Sequence, residues 1–342
     1  MKNKSILFIG LVPGESKESI GGITVFCKNI LNFLKNEGIN VTFISFRKRF
    51  FYGGQLIDFS FSFFPILIKI FKHDIISIHA TRDFTVTVAP LYCIFAKLLG
   101  KKVVYQAFAG SLYQLFDKLP NFYQKFVLHT VFKSDAVLLE TKHHIDYFKA
   151  KINANYIWFP NMRNAIKEEF TPTSYEKKFC FISRIVADKG INELVAAFTN
   201  LPKEYTLDIY GHIEDNTNLS NLSSNIKYKG ILPPEKVIDT LDQYNVLVLP
   251  TYHLEGHPGI IIEALSLGKY CISTYSGGIP EIIDNNENGI LIKMRDVTAI
   301  ETAVLNINQG DYSRICQNAY ESFNNNFRSD TVMQKLISQY EL

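Results

Sequence analysis

The sequence predicts an α/β protein built from two doubly wound parallel sheets, and three observations carry that prediction. Short apolar runs of strand length alternate with helix-length segments along the chain, the pattern of parallel sheets whose crossovers are helices. A polar stretch over residues 161–174, holding Pro172, divides the alternation into two series. The 342 residues are enough for two domains of ordinary size, and 47% hydrophobic with 20% charged residues describes a sizeable core.

In the first series the strands are expected at Ser5–Val12, Asn40–Phe46, Asp74–His79, Lys102–Ala107, Ala136–Glu140 and Tyr156–Phe159. In the second they are expected at Phe179–Ser183, Leu207–Tyr210, Ile226–Lys229, Val246–Leu249, Tyr270–Ser273 and Gly289–Ile292. The domains read as 1–165 and 166–328, with an inter-domain cleft as the expected place for an active site. A last helix in 329–342, N-capped by Ser329 and ending near Tyr340, is expected to pack back toward the N-terminal domain.

Several classes are disfavoured. No segment reaches the ~18 uninterrupted apolar residues of a membrane span. The basic start and short apolar run of residues 1–12 are cut by Pro13, Gly14 and Glu15 without a small-residue cleavage site. That reads as a first strand and not a signal peptide. The five cysteines (27, 93, 180, 271 and 316) have no paired spacing, which argues for a reducing cytoplasm and against a disulfide framework or a zinc site. Charge divides unevenly: residues 1–165 carry 21 Lys and Arg against 10 Asp and Glu, and residues 166–342 carry 15 against 23. A basic half and an acidic half suggest different partners; nucleic acid is not expected among them.

Residues 250–265, Pro-Thr-Tyr-His-Leu-Glu-Gly-His-Pro-Gly-Ile-Ile-Ile-Glu-Ala-Leu, are the most informative stretch. The strand before it ends at Pro250, so Glu255 is expected on a loop at the strand's C-terminal edge, where open parallel sheets bind ligands. Glu263 is expected about one turn into a helix starting near Pro258. It falls within an apolar patch, and a buried carboxylate without a partner costs several kcal/mol, so it should have one. Two acceptors there suit a ligand rich in hydroxyls.

Three further motifs follow strands. Ser183-Arg-Ile-Val-Ala-Asp-Lys-Gly190 places Arg184 and Lys189 across a turn that opens a helix, where two cations suit a diphosphate. Gly21-Gly22 precedes an amphipathic helix and would let backbone amides approach an anion. It is not the Gly-x-Gly-x-x-Gly dinucleotide fingerprint, which disfavours a dehydrogenase. Ser276-Gly-Gly-Ile-Pro-Glu281 is another loop at a strand's C-terminal edge. His253 and His257 straddle a glycine before Pro258, and a metal pair is not expected from them.

Together these residues resemble family 4 of the retaining glycosyltransferases, enzymes of the GT-B fold with two Rossmann-like domains. Arg184 with Lys189-Gly190, the Glu255-x7-Glu263 element and Ser276-Gly-Gly-Ile-Pro-Glu281 match in order, and Gly21-Gly22 and Asn288-Gly-Ile-Leu-Ile292 also fit. The resemblance implies a retaining, metal-independent hexosyltransferase. It would move a sugar from a nucleotide diphosphate-sugar, UDP-sugar first, to a saccharide or lipid-linked saccharide acceptor in bacterial surface polysaccharide synthesis. It gives Glu255, Arg184 and Lys189 catalytic roles. Arg184 and Lys189 would bind the diphosphate, Glu263 the ribose, and Glu255 with the backbone of Gly256, His257, Pro258, Gly259 and Ile260 the transferred sugar. Gly22 would border the phosphates.

Such enzymes often carry a His after the fourth strand of the first domain. Here Tyr105-Gln-Ala-Phe-Ala-Gly-Ser111 puts Phe108 or Ala109 in its place. His79, Gly110 and Ser111 are therefore candidate acceptor or sugar contacts. An idle nucleotide-sugar-binding paralogue or scaffold, or a nucleotide-sugar epimerase of the same fold, are the alternatives.

Arg47, Lys48 and Arg49, among aromatics in Phe46–Tyr52, suggest docking on an anionic membrane surface, giving a cytoplasmic chain held peripherally on the inner face of the plasma membrane. Residues 65–72, in contrast, read as a core-packed helix.

Overall fold

The structure, a computed structural model, describes residues 4–11, 22–45, 64–108, 111–214, 217 and 219–340. The chain forms two compact units, Met1–Pro160 with Val332–Leu342, and Asn161–Thr331. Each holds a six-stranded parallel sheet.

The first unit runs β1 (Ile6–Gly10), α1 (Gly22–Asn36), β2 (Val41–Ser45), α2 (residues 64–72), β3 (Ile75–Thr81), α3 (Arg82–Thr87), α4 (Ala89–Leu98), β4 (Lys102–Phe108), α5 (Leu112–Asp117), α6 (Asn121–Thr130), β5 (Ala136–Leu139), α7 (Lys142–Lys149) and β6 (Tyr156–Trp158). The strand order is β2-β1-β3-β4-β5-β6. β1 lies between β2 and β3, so the order reverses there and makes a switch point at the sheet's C-terminal edge. β1, β3, β4 and β5 read as near-continuous apolar runs and are almost wholly buried, as strands covered on both faces must be. Their packing partners include Tyr92, Phe116 and Phe148 from the helices and Phe132 from the turn after α6.

α2 buries Ile66 and Ile70 but exposes Phe64, Ile68 and Phe71; only one of its faces is core, where the sequence suggested a core-packed helix. The basic residues 47–49 and the paired Gly21 lie outside the described residues.

The second unit runs β7 (Lys178–Ile182), α8 (Ile191–Asn200), β8 (Thr206–Tyr210), β9 (Ile226–Tyr228), α9 (Val237–Leu241), β10 (Val246–Leu249), α10 (Gly259–Ser266), β11 (Tyr270–Thr274), β12 (Ile290–Ile292), α11 (Val297–Leu305) and α12 (Gln309–Asn326). Its strand order is β12-β11-β10-β7-β8-β9. From β7 the chain steps through β8 and β9, then returns to β10 on β7's other side. The switch point therefore lies between β7 and β10, the strands that lead into the two charged motifs.

The last helix, α13 (Ser329–Tyr340), begins in the second unit, and its body from Val332 belongs to the first. There Tyr340 is fully buried and shares a 2.8 Å hydrogen bond with Ser77 of β3. All five cysteines are buried and free. Among the described residues no helix is long and apolar enough to cross a membrane.

Candidate functional site

Three loops of the second unit, leaving the C-terminal ends of neighbouring strands β7, β10 and β11, are tied together by backbone bonds. The loop after β7 ends at Gly190, whose φ of +76° only glycine adopts without strain. A Cβ there would also lie 2.1 Å from the Pro250 carbonyl oxygen. This close approach sets the β7 loop on the end of β10. The Asp188 carbonyl then accepts from the Tyr252 and His253 amides at 2.8 and 2.9 Å and from Thr251 Oγ1 at 3.2 Å. The Asp188 carboxylate meets His253 Nδ1 at 2.7 Å.

The third loop supports Glu255 from the β11 side. Gly278 N donates to the Glu255 carbonyl at 3.0 Å, and Ser276 Oγ donates to the His253 carbonyl at 2.5 Å. Gly277 has φ +54°, and a Cβ on it would fall 2.0 Å from that same Glu255 carbonyl oxygen. Side chains would strain both the turn and the contact, so the Gly-Gly pair is a local requirement.

These ties bring together residues far apart in sequence. Lys189 Nζ donates to Glu255 Oε1, the side chains being only 8% and 17% exposed. Glu255 sits on the loop, and α10 starts at Gly259 behind Pro258, as the sequence indicates. Pro258 offers no side-chain cap, and its carbonyl takes the Ile261 and Ile262 amides at 3.1 and 3.4 Å, which leaves the Gly259 and Ile260 amides at the positive end of the helix dipole. Arg184, in contrast, is half-exposed and pairs with Glu214 at 2.7 Å.

Glu263 has the partner its apolar surroundings demand. Arg163 Nε donates to Glu263 Oε1 at 2.6 Å, and Arg163 Nη1 donates to Asn161 Oδ1 and the Met162 carbonyl at 2.9 Å. Asn161 Nδ2 in turn holds the His257 carbonyl at 3.0 Å. The His257 side chain has no exposed surface and lies 3.4 Å from Glu281 Oε2, so His257 presents backbone to the loop and its ring to the interior. Sequence reasoning missed Asn161 and Arg163. The only available signal was Glu263's need for a cation, and that does not say which arginine 100 positions away supplies it.

The candidates of the first unit fare differently. Gly22 is the first residue of α1. Ser111 precedes α5 and accepts from Arg82 Nη1 at 3.1 Å; Gly110 lies outside the described residues. His79, expected as a sugar or acceptor contact, is interior instead. It is 0% exposed, with Nδ1 2.5 Å from Gln106 Oε1 and Nε2 2.8 Å from Ser77 Oγ. Phe8 stacks on its ring at 3.9 Å. Burial drives its pKa down to about 3, so the ring is neutral. β3 is covered on both faces and runs on to Thr81, so His79 is inside the sheet's packing and not at its edge, which its place in the sequence did not reveal.

Residues 162–327 match the model of the family described as glycosyl transferases group 1. The chain is similar to an uncharacterized glycosyltransferase of Methanocaldococcus jannaschii, 23% identical over 83% of this chain and 78% of that one. It is also similar to the capsular polysaccharide biosynthesis glycosyltransferase CapM of Staphylococcus aureus, 28% identical over 47% of this chain but only 44% of CapM. Among solved structures it resembles Anabaena HepE in complex with UDP, with a TM-score of 0.72, 13% identity, and coverage of 98% of this chain and 99% of that one. The two parallel sheets with their helices are the GT-B arrangement that the motifs implied.

Proposed function

We propose that this chain is a group 1 glycosyl transferase, the family whose model residues 162–327 match, and that it transfers a sugar from a nucleoside diphosphate-sugar to a saccharide or lipid-linked saccharide, retaining the anomeric configuration. The observation that carries this is the convergence of Lys189, Glu255 and the start of α10, which no side chain caps, at the β7–β10 switch point. That edge offers a cation and backbone amides for a diphosphate, and carboxylates for hydroxyls.

In this account Glu263 accepts from the ribose, and Glu255 with the backbone of Gly256 to Ile260 faces the transferred sugar. Cleavage of the anomeric C–O bond leaves positive charge on the sugar and an additional negative charge on the leaving diphosphate. Lys189, Arg184 and the α10 amides stabilise that oxyanion. The acceptor oxygen attacks from the face the diphosphate leaves, and its proton passes to a departing phosphate oxygen. The protein contributes positioning and electrostatics, and the charge compensation needs no metal. UDP is the favoured nucleotide; the UDP complex of a protein of the same fold supports that choice. The name of CapM supports a role in surface polysaccharide synthesis.

The test is incubation with UDP- and GDP-sugars and saccharide acceptors, with and without chelator, followed by NMR of the product's anomeric proton. A new glycoside with the donor's anomeric configuration, formed equally in chelator, supports the proposal. An inverted product, or loss of turnover in chelator, removes that part of it. An altered nucleotide sugar or free sugar in place of a glycoside identifies an epimerase or hydrolase, and an untouched donor identifies an idle scaffold.

A further inference from the structure

Arg163 has a fixed backbone and a divided guanidinium. Its N–H donates to the Phe327 carbonyl at 3.0 Å and its own carbonyl accepts from Ser329 N at 2.8 Å, so the Cα is clamped between two bonds. From there Nε reaches Glu263 Oε1 at 2.6 Å. Nη1 is satisfied by Asn161 and the Met162 carbonyl. Nη2 lies so close over the first residue of α10 that a Cβ on Gly259 would stand 1.9 Å from it. Gly259 has no left-handed φ; the guanidinium packs over it, and a side chain there would push the guanidinium aside. Among the described residues, neither Nη2 nor the second Glu263 oxygen has a hydrogen-bond partner.

A carboxylate on an unsupported four-atom arm populates several rotamers, and ordering it on ligand binding costs affinity. One oxygen already held at 2.6 Å by a planar donor fixes the carboxylate plane and leaves Oε2, with two lone pairs, as the acceptor for ligand. Two lone pairs match two vicinal hydroxyls.

We propose that Arg163 is the positioning residue of the nucleotide site: it holds Glu263 Oε1 so that Oε2 receives the paired hydroxyls of the donor's ribose. This rests on the assignment of Glu263 to the ribose. It adds a specificity element that the two-glutamate motif does not contain, since Arg163 lies before β7.

The experiment is calorimetric titration of wild type, Arg163→Ala and Arg163→Lys with UDP, GDP and their 2′,3′-dideoxy forms, with melting curves to confirm folding. Wild type is expected to prefer one ribonucleotide over its dideoxy form by at least about tenfold. Arg163→Ala should lose most of that preference while its dideoxy affinity stays within about threefold. Arg163→Lys keeps the charge but not the fork, and its preference should fall at least about threefold. A folded Arg163→Ala or Arg163→Lys that retains the full ribose preference overturns the role of Arg163 alone. A wild type that binds but does not distinguish ribose from dideoxyribose overturns the Glu263 assignment, and one that binds neither nucleotide overturns the nucleotide account itself.

Discussion

Lys189 and Glu255, 66 positions apart, form an ion pair withdrawn from solvent, and the loops that carry them are joined by the Asp188 carbonyl. Neither loop supplies the pair alone. The charges are held in place before any ligand arrives, which is the condition for electrostatic stabilisation without reorganisation.

Removing Lys189 alone leaves a largely buried carboxylate without its cation. Lys189→Met is expected to destabilise the chain by about 2–3 kcal/mol, toward the low end for broken buried pairs because Glu255 keeps some solvent. Glu255→Gln in the same chain should recover part of that loss. A double-mutant cycle by urea unfolding should give a coupling above about 1 kcal/mol. Additive effects would show that the pair contributes nothing to stability.

Gly277 supports Glu255 from beneath. Gly277→Ala places a side chain at φ +54° and against the Glu255 carbonyl oxygen, so the loop must shift. We expect a loss of about 2 kcal/mol or more in stability and a donor affinity reduced along with it. A Gly277→Ala variant with wild-type melting and wild-type donor binding would remove the loop contact from the account.

His79 supplies a pH dependence. Its folded pKa is lowered to about 3, so between there and its unfolded value near 6.5 the unfolded chain binds the extra proton. Stability from this group is complete above about pH 6.5 and is lost as pH falls toward 3. From pH 7 to pH 5 the loss is about 2 kcal/mol. Urea unfolding at the two pH values should show this in wild type and not in His79→Gln; equal slopes in both would contradict the buried neutral imidazole.

The basic cluster Arg47, Lys48 and Arg49 carries the expectation of docking on an anionic membrane surface. Its neutralisation to Gln should weaken binding to anionic liposomes and leave nucleotide binding unchanged. Unchanged liposome sedimentation would remove the membrane claim.

The fold was legible because each strand is announced by an apolar run and a turn signal. The expected strands agree with the observed ones to within a residue or two, and Val246–Leu249 agrees at both ends. Glu255 and Glu263 were legible for the same reason, since Pro250 and Pro258 fix where the strand stops and the helix starts. What was not legible depended on contacts across the fold. The partner of Glu263 is Arg163, 100 residues earlier, and no periodicity connects them. His79 looked like an edge residue, but β3 continues to Thr81 and packs the ring inside. Arg184 and Lys189, a pair by spacing, separate by environment: one half-exposed beside Glu214, the other buried beside Glu255.

The central claim is a nucleotide site in the second unit built on Glu263 and Lys189. It is tested most directly by thermal shift, without added metal, of wild type, Glu263→Ala and Lys189→Ala against UDP, GDP, ADP, CMP and their sugar conjugates. A ligand present at a hundred times its Kd stabilises the folded chain by about 2.7 kcal/mol. Wild-type Tm is expected to rise selectively with one nucleotide, UDP first. Each variant should need at least about tenfold more ligand for the same rise, a loss of about 1.4 kcal/mol. No shift with any nucleotide, or equal shifts in wild type and both variants, would contradict it.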